Sequence, residues 1–464
     1  MKTMFITISR GSLIRNFFHS GVISRLLDAG LRIVVLTPNY KDPSLFSAYA
    51  QERLILEPLL SSPPSVTRRI LQELMRAVIF NDTVKARFTY RIASDTDPSP
   101  WLYAPRMYLF PLFRFFPFAR PLLRFLALMF DPQREHDHLF ERYQPDLVFS
   151  TTPHDDADAS VLKGARRFEV RTICMPKSWD NLSKILFSVK TDQMMVWGRY
   201  SKRIACRLQG YADTEVITTG APQFDYYANP GYLIPRDDYC SSHSLDPNKP
   251  YILYGSSGAD MCDEASFVEL LKEYVYRSGR GNMQVLIRPH VGYKRDADQF
   301  ARFENDKRFS LDRTERQDPR LRDNWDTSTY HLSNLFNSLK HAAVCINVAS
   351  TLTIDSTLCG TPVINLRFDP DAKVDKKRRS VLRLFETGYI KDALSMGATW
   401  VVGSKKELFF ALDEILHKPS SKNDERIRLI EEFAFKNDGR SAERVADAII
   451  SVHELKLPCV KNML

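Results

Sequence analysis

Short apolar runs alternate with segments of helical spacing along most of this chain, and this alternation is the feature that most constrains its fold. In the first forty residues, the strand-like runs 3–9 and 31–38 flank a stretch of helical spacing that ends at Gly30. Residues 10–16 (RGSLIRN), which precede that stretch, have the composition of a polar loop. Further strand-like runs in the first half occupy residues 145–153, 170–176, 193–198 and 214–220. Strands that alternate with helices of this length form parallel sheets, so the sequence predicts an α/β fold.

A stretch rich in proline, serine and aspartate, residues 228–250, interrupts the alternation and has no clear period. From Tyr251 the alternation restarts, so we expect the stretch to link two α/β domains. A length of 464 residues also suits two domains of ordinary size. The expected units are a first domain over residues 1–235, a second domain over 250–420 and a helical tail over 421–464.

The net charge and the cysteines indicate the type of partner and the cellular location to expect. A net charge of +9 is typical of proteins with an anionic partner, such as nucleic acid, a membrane surface or a phosphorylated ligand. The seven cysteines are scattered singly and have no zinc-binding spacing, which is typical of a reduced chain. The first residues lack the apolar core of a signal peptide, and no uncharged run is long enough to span a membrane. We therefore expect a cytoplasmic location.

Polar residues follow the strand-like runs of the second half, where open parallel sheets bind their ligands. Small residues before a helix can present backbone N–H groups to an anion, and an arginine with a histidine suits phosphate. An aspartate after a strand can accept hydrogen bonds from sugar or ribose hydroxyls. For each loop the alternative is ordinary capping of a strand-to-helix turn. In chain order the candidates are Ser256, Ser257, Gly258, Arg288, His290, Ser350, Thr351 and Asp369.

Two motifs in the second half carry a resemblance to a known superfamily. They are RPH at residues 288–290 and the pattern S-T-x-x-x-D-x-x-x-x-G-x-P over residues 350–362. Together with the two α/β halves and the proline-rich linker, they resemble GT-B glycosyltransferases, in which two Rossmann-like domains face each other across a cleft. Within that superfamily the chain is most similar to the clan of CDP-glycerol glycerophosphotransferases and UDP-N-acetylglucosamine 2-epimerase-like proteins. The order SWDN, SK, VWG and TGAPQFD resembles a bacterial branch of glycosyltransferases.

Two positions depart from the pattern of that clan. His290 is followed by Val291, where the glycerophosphotransferases usually have proline. Asp355 stands in a hydroxyl-rich helix in place of the acidic residue of many retaining enzymes, which makes it a further donor-binding candidate. The donor base, the sugar and the stereochemical outcome therefore stay open.

The resemblance implies an enzyme that transfers a sugar, or a glycerophosphate-type group, from a nucleotide-activated donor to a cell-envelope glycan or polysaccharide. The donor would lie in the second domain, and a glycan or lipid-linked acceptor in the first. GT-B enzymes generally hold the leaving diphosphate with helix dipoles and basic side chains, so we expect no metal and no cofactor. The sequence DPD at residues 369–371 is the one formal match to a metal motif.

The polar cluster KSWDNLSK, residues 177–184, follows a strand-like run of the first domain and should face that cleft. Asp180 suits a general base, Trp179 suits stacking on a sugar or base, and basic side chains suit phosphate. The alternative is that Trp179 is an anchor and that Asp180 caps a following helix. A second polar loop with Asp155 competes for the role of base, and residues of the first loop would line the same cleft. The remaining candidates of this cleft are Arg10, Asn16, His154, Asp156, Lys177, Ser178, Asn181 and Lys184.

Two other function classes stay open. A sugar-nucleotide epimerase of the 2-epimerase type would use the same fold with a fuller set of acid and base carboxylates. A non-catalytic nucleic-acid-binding or scaffold protein would use the positive charge, but the sequence lacks a basic stripe with interleaved aromatic residues. We therefore expect no nucleic-acid partner.

Residues 101–130 form an apolar insert in the first domain, dense in phenylalanine and leucine and broken by prolines. Arginine is the one charged residue type in it, at four positions. This composition suits a patch that docks on an anionic membrane, which would place the protein at the inner face of the plasma membrane. The alternative is that the insert is buried in the core of the first domain.

Overall fold

Two separate parallel sheets organise the chain. The computed structural model describes residues 1–90, 103–258, 264–277, 282–293, 295–313, 328–371, 374–375 and 379–454. The first sheet has seven strands in the order β3-β2-β1-β4-β5-β6-β7, and the second has six in the order β10-β9-β8-β11-β12-β13. This arrangement confirms the predicted two-sheet α/β fold.

The strands are short and mostly buried, as the apolar runs predict. Those of the first sheet are β1 (Thr3–Thr7), β2 (Arg32–Thr37), β3 (Leu54–Pro58), β4 (Leu147–Ser150), β5 (Arg171–Cys174), β6 (Gln193–Val196) and β7 (Val216–Thr218). Those of the second are β8 (Tyr251–Gly255), β9 (Gln284–Arg288), β10 (Phe309–Leu311), β11 (Val344–Asn347), β12 (Val363–Leu366) and β13 (Trp400–Val402).

Helices cover the sheets. They are α1 (Gly11–Ile14), α2 (Val22–Asp28), α3 (Val66–Val78), α4 (Asp82–Tyr90), α5 (Ala119–Phe130), α6 (Asp137–Tyr143), α7 (Asp156–Arg167), α8 (Arg199–Ile204), α9 (Asp225–Ala228), α10 (Arg236–Ser242), α11 (Ala265–Val275), α12 (Thr329–Lys340), α13 (Leu352–Leu358), α14 (Gly388–Ser395), α15 (Lys405–His417), α16 (Asn423–Phe433) and α17 (Ser441–Glu454). Within the described part of the chain, no helix is long and apolar enough to cross a bilayer.

Each sheet reverses its strand order beside its first strand. In the first sheet β1 pairs with both β2 and β4, and in the second sheet β8 pairs with both β9 and β11. At such a point the loops from adjacent strands leave in opposite directions, so a crevice opens beyond the carboxyl ends of the strands. The fold therefore places one crevice at the end of β1 and β4, and another at the end of β8, β9 and β11.

One sequence expectation about local structure is wrong. Residues 11–16, expected within a polar loop, form α1 and the start of a π-helical turn over Arg15–His19. Leu13, Ile14, Phe17 and Phe18 recur at helical spacing there, and all four are buried. The stretch 228–250, predicted to link the two domains, contains helix α10, whose Tyr239 and Cys240 are buried.

The last helices return to the first half of the chain. The carboxylate of Asp225, at the start of α9, accepts hydrogen bonds from the backbone N–H groups of Ser441 and Ala442 at 2.9 and 2.7 Å. Arg171 in β5 donates to the backbone carbonyl of Val452 at 2.9 Å. Helix α17, in the predicted helical tail, therefore packs against the first half of the chain.

Candidate active site

A cavity of about 180 Å³ opens at the carboxyl ends of β8, β9 and β11, in the crevice that the strand order creates. Its walls combine loops that are far apart in sequence. Among the residues predicted to bind a donor, six line it: Ser256, Arg288, His290, Ser350, Thr351 and Asp355. The buried His331 of α12 also lines it and did not stand out in the sequence.

Arg288 enters the cavity wall as half of a buried ion pair. Its Nη1 lies 2.6 Å from Oδ2 of Asp312, which also accepts a hydrogen bond from Asn334 at 2.9 Å. Both charged side chains are almost fully buried. A buried arginine needs such a partner, because an isolated charge is costly in a low dielectric. Asp312 therefore fixes the guanidinium at the end of β9, a positioning role that the sequence did not reveal.

His290 is held as a neutral ring. Burial lowers the pKa of His290, and the positive charges of Arg288 and Lys177 lower it further. The backbone N–H of Gly292 donates to Nδ1 at 3.0 Å, so the neutral ring carries its proton on Nε2. The charge of Lys177, at the start of the KSWDNLSK cluster, therefore acts on a ring of the second domain.

Asp355 is the carboxyl group of the cavity that is tuned toward neutral pH. Burial raises its pKa to about 6, although Tyr227, Arg15 and Arg288 act in the opposite direction. The Tyr227 hydroxyl donates to Oδ1 of Asp355 at 2.9 Å, from the helix α9 that follows the last strand of the first sheet. Because this partner is neutral, the carboxyl group remains able to exchange a proton.

The first half of the chain contributes Arg15 to the surroundings of Asp355. Arg15 is buried in the helical turn after α1 and donates to Asn16 at 3.1 Å and to Gln223 at 3.0 Å. Its charge acts on both Asp355 and His331. Asn16, predicted for this cleft, therefore orients Arg15. The sequence analysis did not predict Gln223 as a site residue, although Gln223 lies in the motif TGAPQFD. It also did not predict Arg15, which precedes Asn16.

The loop after β8 is organised by a carboxyl group that the sequence did not single out. Glu264 accepts hydrogen bonds from the Ser256 hydroxyl at 2.7 Å and from the Ser257 backbone N–H at 2.8 Å. Burial raises the pKa of Glu264 to about 7. The Ser257 N–H, which was expected to bind an anion, therefore donates to the Glu264 carboxyl group instead. Gly258, at φ +106°, is required because a Cβ atom there would lie 2.2 Å from the Tyr293 ring.

Ser350 and Thr351 lie at the start of helix α13. The Ser350 hydroxyl accepts from the backbone N–H of Leu352 at 3.3 Å and lies 3.4 Å from Oδ1 of Asn347. Asn347 and Asn365 are buried at the ends of β11 and β12 and hydrogen-bond to each other at 3.1 Å. This network holds Ser350 at the cavity wall.

Asp369 does not face the cavity. Its two carboxylate oxygens accept from the Ser380 hydroxyl at 2.6 Å and from the Val381 backbone N–H at 2.9 Å. These bonds close a loop before the short helical turn over Val381–Glu386, so the capping alternative describes this residue. In the described part of the chain, no cluster of His, Cys, Asp and Glu side chains could hold a metal ion.

Trp179 is an anchor between the two halves. Its ring makes edge contacts with Tyr389 at 5.2 Å, Phe433 at 5.0 Å and Tyr200 at 6.2 Å between ring centroids. Only 4% of Trp179 is exposed, so no ring face is open to a sugar or base. The structure therefore favours the anchor alternative over the stacking surface.

Asp180 forms an ion pair with Lys184. Burial pushes its pKa up, but the charge and hydrogen bond of Lys184 outweigh burial and bring the pKa of Asp180 below its usual value. The following helix is only the turn Asn181–Ser183, and the Asp180 side chain does not cap it. Instead Asn181 accepts from the Ser178 backbone N–H at 2.9 Å, so the cluster is locked internally. A carboxylate paired in this way is a weak base.

The second polar loop, which precedes α7, also makes its contacts within the first domain. Asp155 pairs with Arg10 at 3.0 Å, and burial lowers the pKa of His154 to about 4. Asp156 points away from the donor cavity, accepts from Gln72 at 3.0 Å and lines a separate cavity of about 30 Å³ that His154 also lines. The structure thus does not bring the loop to the predicted donor residues.

Comparison with known proteins identifies the fold. No protein-family model matches the sequence, and no curated protein matches it. UDP-GlcNAc 2-epimerase from Methanocaldococcus jannaschii superposes with a TM-score of 0.55 at 13% identity, over 97% of this chain and 100% of that chain. The Neisseria meningitidis 2-epimerase bound to UDP-GlcNAc gives 0.55 at 11% identity, over 97% and 100%. A glycosyltransferase from Rickettsia africae ESF-5 gives 0.52 at 10% identity, over 97% and 98%.

These likenesses extend over both sheets and show a fold shared by glycosyltransferases and 2-epimerases. The chain has the GT-B architecture, with two Rossmann-like domains. The predicted fold is therefore confirmed. The narrower resemblance to glycerophosphotransferases stays a prediction.

Proposed function

We propose that this chain is a glycosyltransferase that binds a nucleotide-activated donor in the cavity at the ends of β8, β9 and β11. The observation that carries the proposal is the convergence of Arg288, His290, Ser350 and Asp355 from separate loops on one crevice of a GT-B fold. Ligands of such sheets bind beyond the carboxyl ends of the strands, where these residues lie. A sugar is the preferred group for transfer, and a glycerophosphate-type group is the other donor class.

The donor diphosphate would be held by side chains instead of a bound metal. Arg288 is fixed by Asp312, and a neutral His290 offers an Nε2–H donor next to it. Lys177 brings a further positive charge from the facing domain, close enough to lower the pKa of His290. Charge-assisted hydrogen bonds of this kind suit phosphate oxygens. The expected consequence is transfer that persists in the presence of EDTA.

Asp355 is the proposed proton acceptor for an acceptor hydroxyl, in preference to Asp180. A general base works best when its pKa lies near the working pH. The pKa of Asp355 is raised to about 6, whereas that of Asp180 lies below its usual value because of Lys184. Tyr227 and Arg15 reach Asp355 from the first domain, so closure of the cleft would align the group with an acceptor bound there. The acceptor is proposed as an envelope glycan or a lipid-linked saccharide.

Thermal denaturation with UDP, GDP, CDP, CMP and ADP tests the proposed donor site. A nucleotide at 100 times its dissociation constant should stabilise the protein by about 2.7 kcal/mol. Arg288→Gln should weaken that nucleotide by on the order of 10-fold to 100-fold. The control is Arg302→Gln, because Arg302 pairs with Glu269 on an exposed surface. If no nucleotide stabilises the protein, the proposed donor site is wrong.

Product analysis tests the type of reaction. A transferase releases the nucleotide and yields a new glycosidic or phosphodiester bond only when an acceptor is present. A 2-epimerase needs no acceptor and yields an isomer of the sugar still attached to its nucleotide. Formation of that isomer in the absence of any acceptor would contradict the transferase proposal while leaving the donor site intact.

A further inference from the structure

The outer surface of residues 103–130 is apolar to an extent unusual for a protein surface. Twelve large apolar side chains of this stretch are exposed. They include Phe115 at 67%, Phe116 at 63% and Phe118 at 77% exposure. Scattered exposed apolar side chains are ordinary, but contiguous apolar patches mark interaction sites. We call this surface, residues 103–130, the aromatic face.

Helix α5 shows that the aromatic face is presented outward by the fold itself. Leu123 and Ala127 lie on its inner side and are buried. Leu122, Phe125 and Met129 lie on the opposite side and are exposed. A surface helix normally places polar residues on its outer side, whereas α5 is apolar on both sides. The outer side therefore suits a neighbour that is not water.

Two of the four arginines lock the aromatic face in place. Arg106 is buried and pairs with Glu73 of α3 at 2.8 Å. Arg124 is also buried and donates to the backbone carbonyls of Phe187 at 3.1 Å and Gln209 at 2.7 Å. The expectation that all four arginines meet lipid headgroups is therefore wrong. With these anchors made, the segment cannot turn its phenylalanines inward without breaking buried polar contacts.

The neighbouring helix α3 extends the aromatic face and adds charge. It packs against α5 and against the short helical turn over Phe110–Phe115. Its Val66 is 74% exposed and its Ile70 is 57% exposed. Arg69 lies beside them on the surface, and Arg114 is exposed within the aromatic face. Residues 103–130 contain no aspartate or glutamate, so arginine is the one charged residue type of the aromatic face.

We propose that the aromatic face docks on the surface of an anionic lipid bilayer, with its phenylalanines inserted among the acyl chains near the headgroups. Apolar and aromatic side chains with flanking arginines match the two layers of that interface. A second copy of the chain fits less well, because a two-fold contact would bring Arg114 and Arg69 toward their own positive counterparts. The inference does not depend on the identity of the donor.

Vesicle flotation tests the docking. The wild-type chain should float with vesicles of phosphatidylcholine and phosphatidylglycerol, and much less with phosphatidylcholine alone. Replacing Phe115, Phe116 and Phe118 by serine should lower the partition coefficient on the order of 100-fold, because three apolar side chains no longer enter the bilayer. The matched control replaces three exposed apolar residues of the other domain, Leu382, Phe410 and Ile427, by serine and should bind as the wild type does.

The arginine contribution is tested separately. The variant with Arg69→Gln and Arg114→Gln should bind anionic vesicles several-fold more weakly and depend less on salt. Equal flotation of the serine variant and the wild type, or no flotation of the wild type, overturns the proposal. So does a concentration-dependent dimer in sedimentation that the serine variant loses, when vesicle binding is absent. The thermal midpoint of each variant is measured first, since the replaced side chains are exposed and should leave it unchanged.

Discussion

Two polar clusters follow strands of opposite sheets, and their carboxyl groups have different partners. In the first domain, Asp155 pairs with Arg10 and Asp180 pairs with Lys184. In the second domain, Asp355 accepts from the neutral hydroxyl of Tyr227 and has a pKa raised to about 6. A direct cation stabilises the ionised carboxylate and removes its basicity, whereas burial without one keeps a proton exchangeable near neutral pH. A charged cluster after a strand is therefore not by itself a catalytic cluster.

The largest effect should come from the anchor of the first cluster. Trp179→Ala removes a buried ring that packs against Tyr200, Tyr389 and Phe433, and we expect a loss of about 3–5 kcal/mol in the free energy of unfolding. Urea denaturation measures it. Trp400→Ala on the half-buried edge strand β13 is the control and should cost clearly less. If Trp179→Ala leaves the stability unchanged but abolishes acceptor binding, Trp179 stacks on the acceptor and is not an anchor.

The next effect separates the two clusters by turnover. Asp355→Asn should reduce the rate of transfer by about 100-fold or more, because the amide cannot accept the proton. Asp180→Asn, a change of the same size in the facing cluster, should keep the rate per folded molecule within about 10-fold of the wild type. The pH profile of the wild type should fall below about pH 6, where Asp355 becomes protonated. A larger rate loss in Asp180→Asn than in Asp355→Asn reverses our assignment of the base.

A smaller effect should measure how tightly the first cluster is paired. A double-mutant cycle of Asp180→Asn and Lys184→Met should give a coupling energy of roughly 1–3 kcal/mol. Because the folded-state pKa of Asp180 is lowered, its stabilising contribution is present above the unfolded-state pKa and is lost as the pH falls through the folded value. The stability difference between wild type and Asp180→Asn should therefore shrink in acid. A coupling energy near zero would mean that solvent screens the ion pair and that Asp180 could still act as the general base.

The fold was accessible from sequence because its central strands are continuous apolar runs. The strands that the pattern did not predict, β3, β10 and β13, lie at sheet edges and are only partly buried, so their apolar signal is weak. The first loop misled for the opposite reason. Its composition is polar, but it forms a buried helical turn. In that turn, Arg15 donates hydrogen bonds to Asn16 and Gln223.

The site was partly accessible for a similar reason. Residues that follow strand ends, such as Arg288 and Ser350, are placed by the topology of a parallel sheet, so the sequence predicted their convergence. Hydrogen-bond partners that come from distant parts of the chain could not be predicted from the sequence. Asp312 and Tyr227 lie 24 and 128 positions from the side chains that they hold, and no local pattern links them. Which carboxyl group is paired and which is exchangeable depends on those partners.

The smallest expected effect concerns Glu264, which organises the loop at the donor cavity. Burial raises its pKa to about 7, so between its usual value and pH 7 the folded state holds a proton that the unfolded state has released. Stability therefore falls as the pH rises through this window and is level above it. Glu264→Gln cannot ionise, so its stability relative to the wild type should rise between pH 4 and pH 8. The hydrogen bonds from Ser256 and Ser257 weaken when the acceptor is an amide, and this effect on the stability of the variant is the same at every pH.

Thermal unfolding of wild type and Glu264→Gln between pH 4 and pH 8 measures this window. Glu269→Gln on the same helix α11 is the control, because Glu269 is half-exposed and pairs with Arg302 at the surface. A stability difference between wild type and Glu264→Gln that stays constant from pH 4 to pH 8 would show that the ionised carboxylate is well solvated or paired in the folded state. In that case the loop would be held by charge, as the first cluster is, and the contrast between the two sides of the cleft would be confined to Asp355.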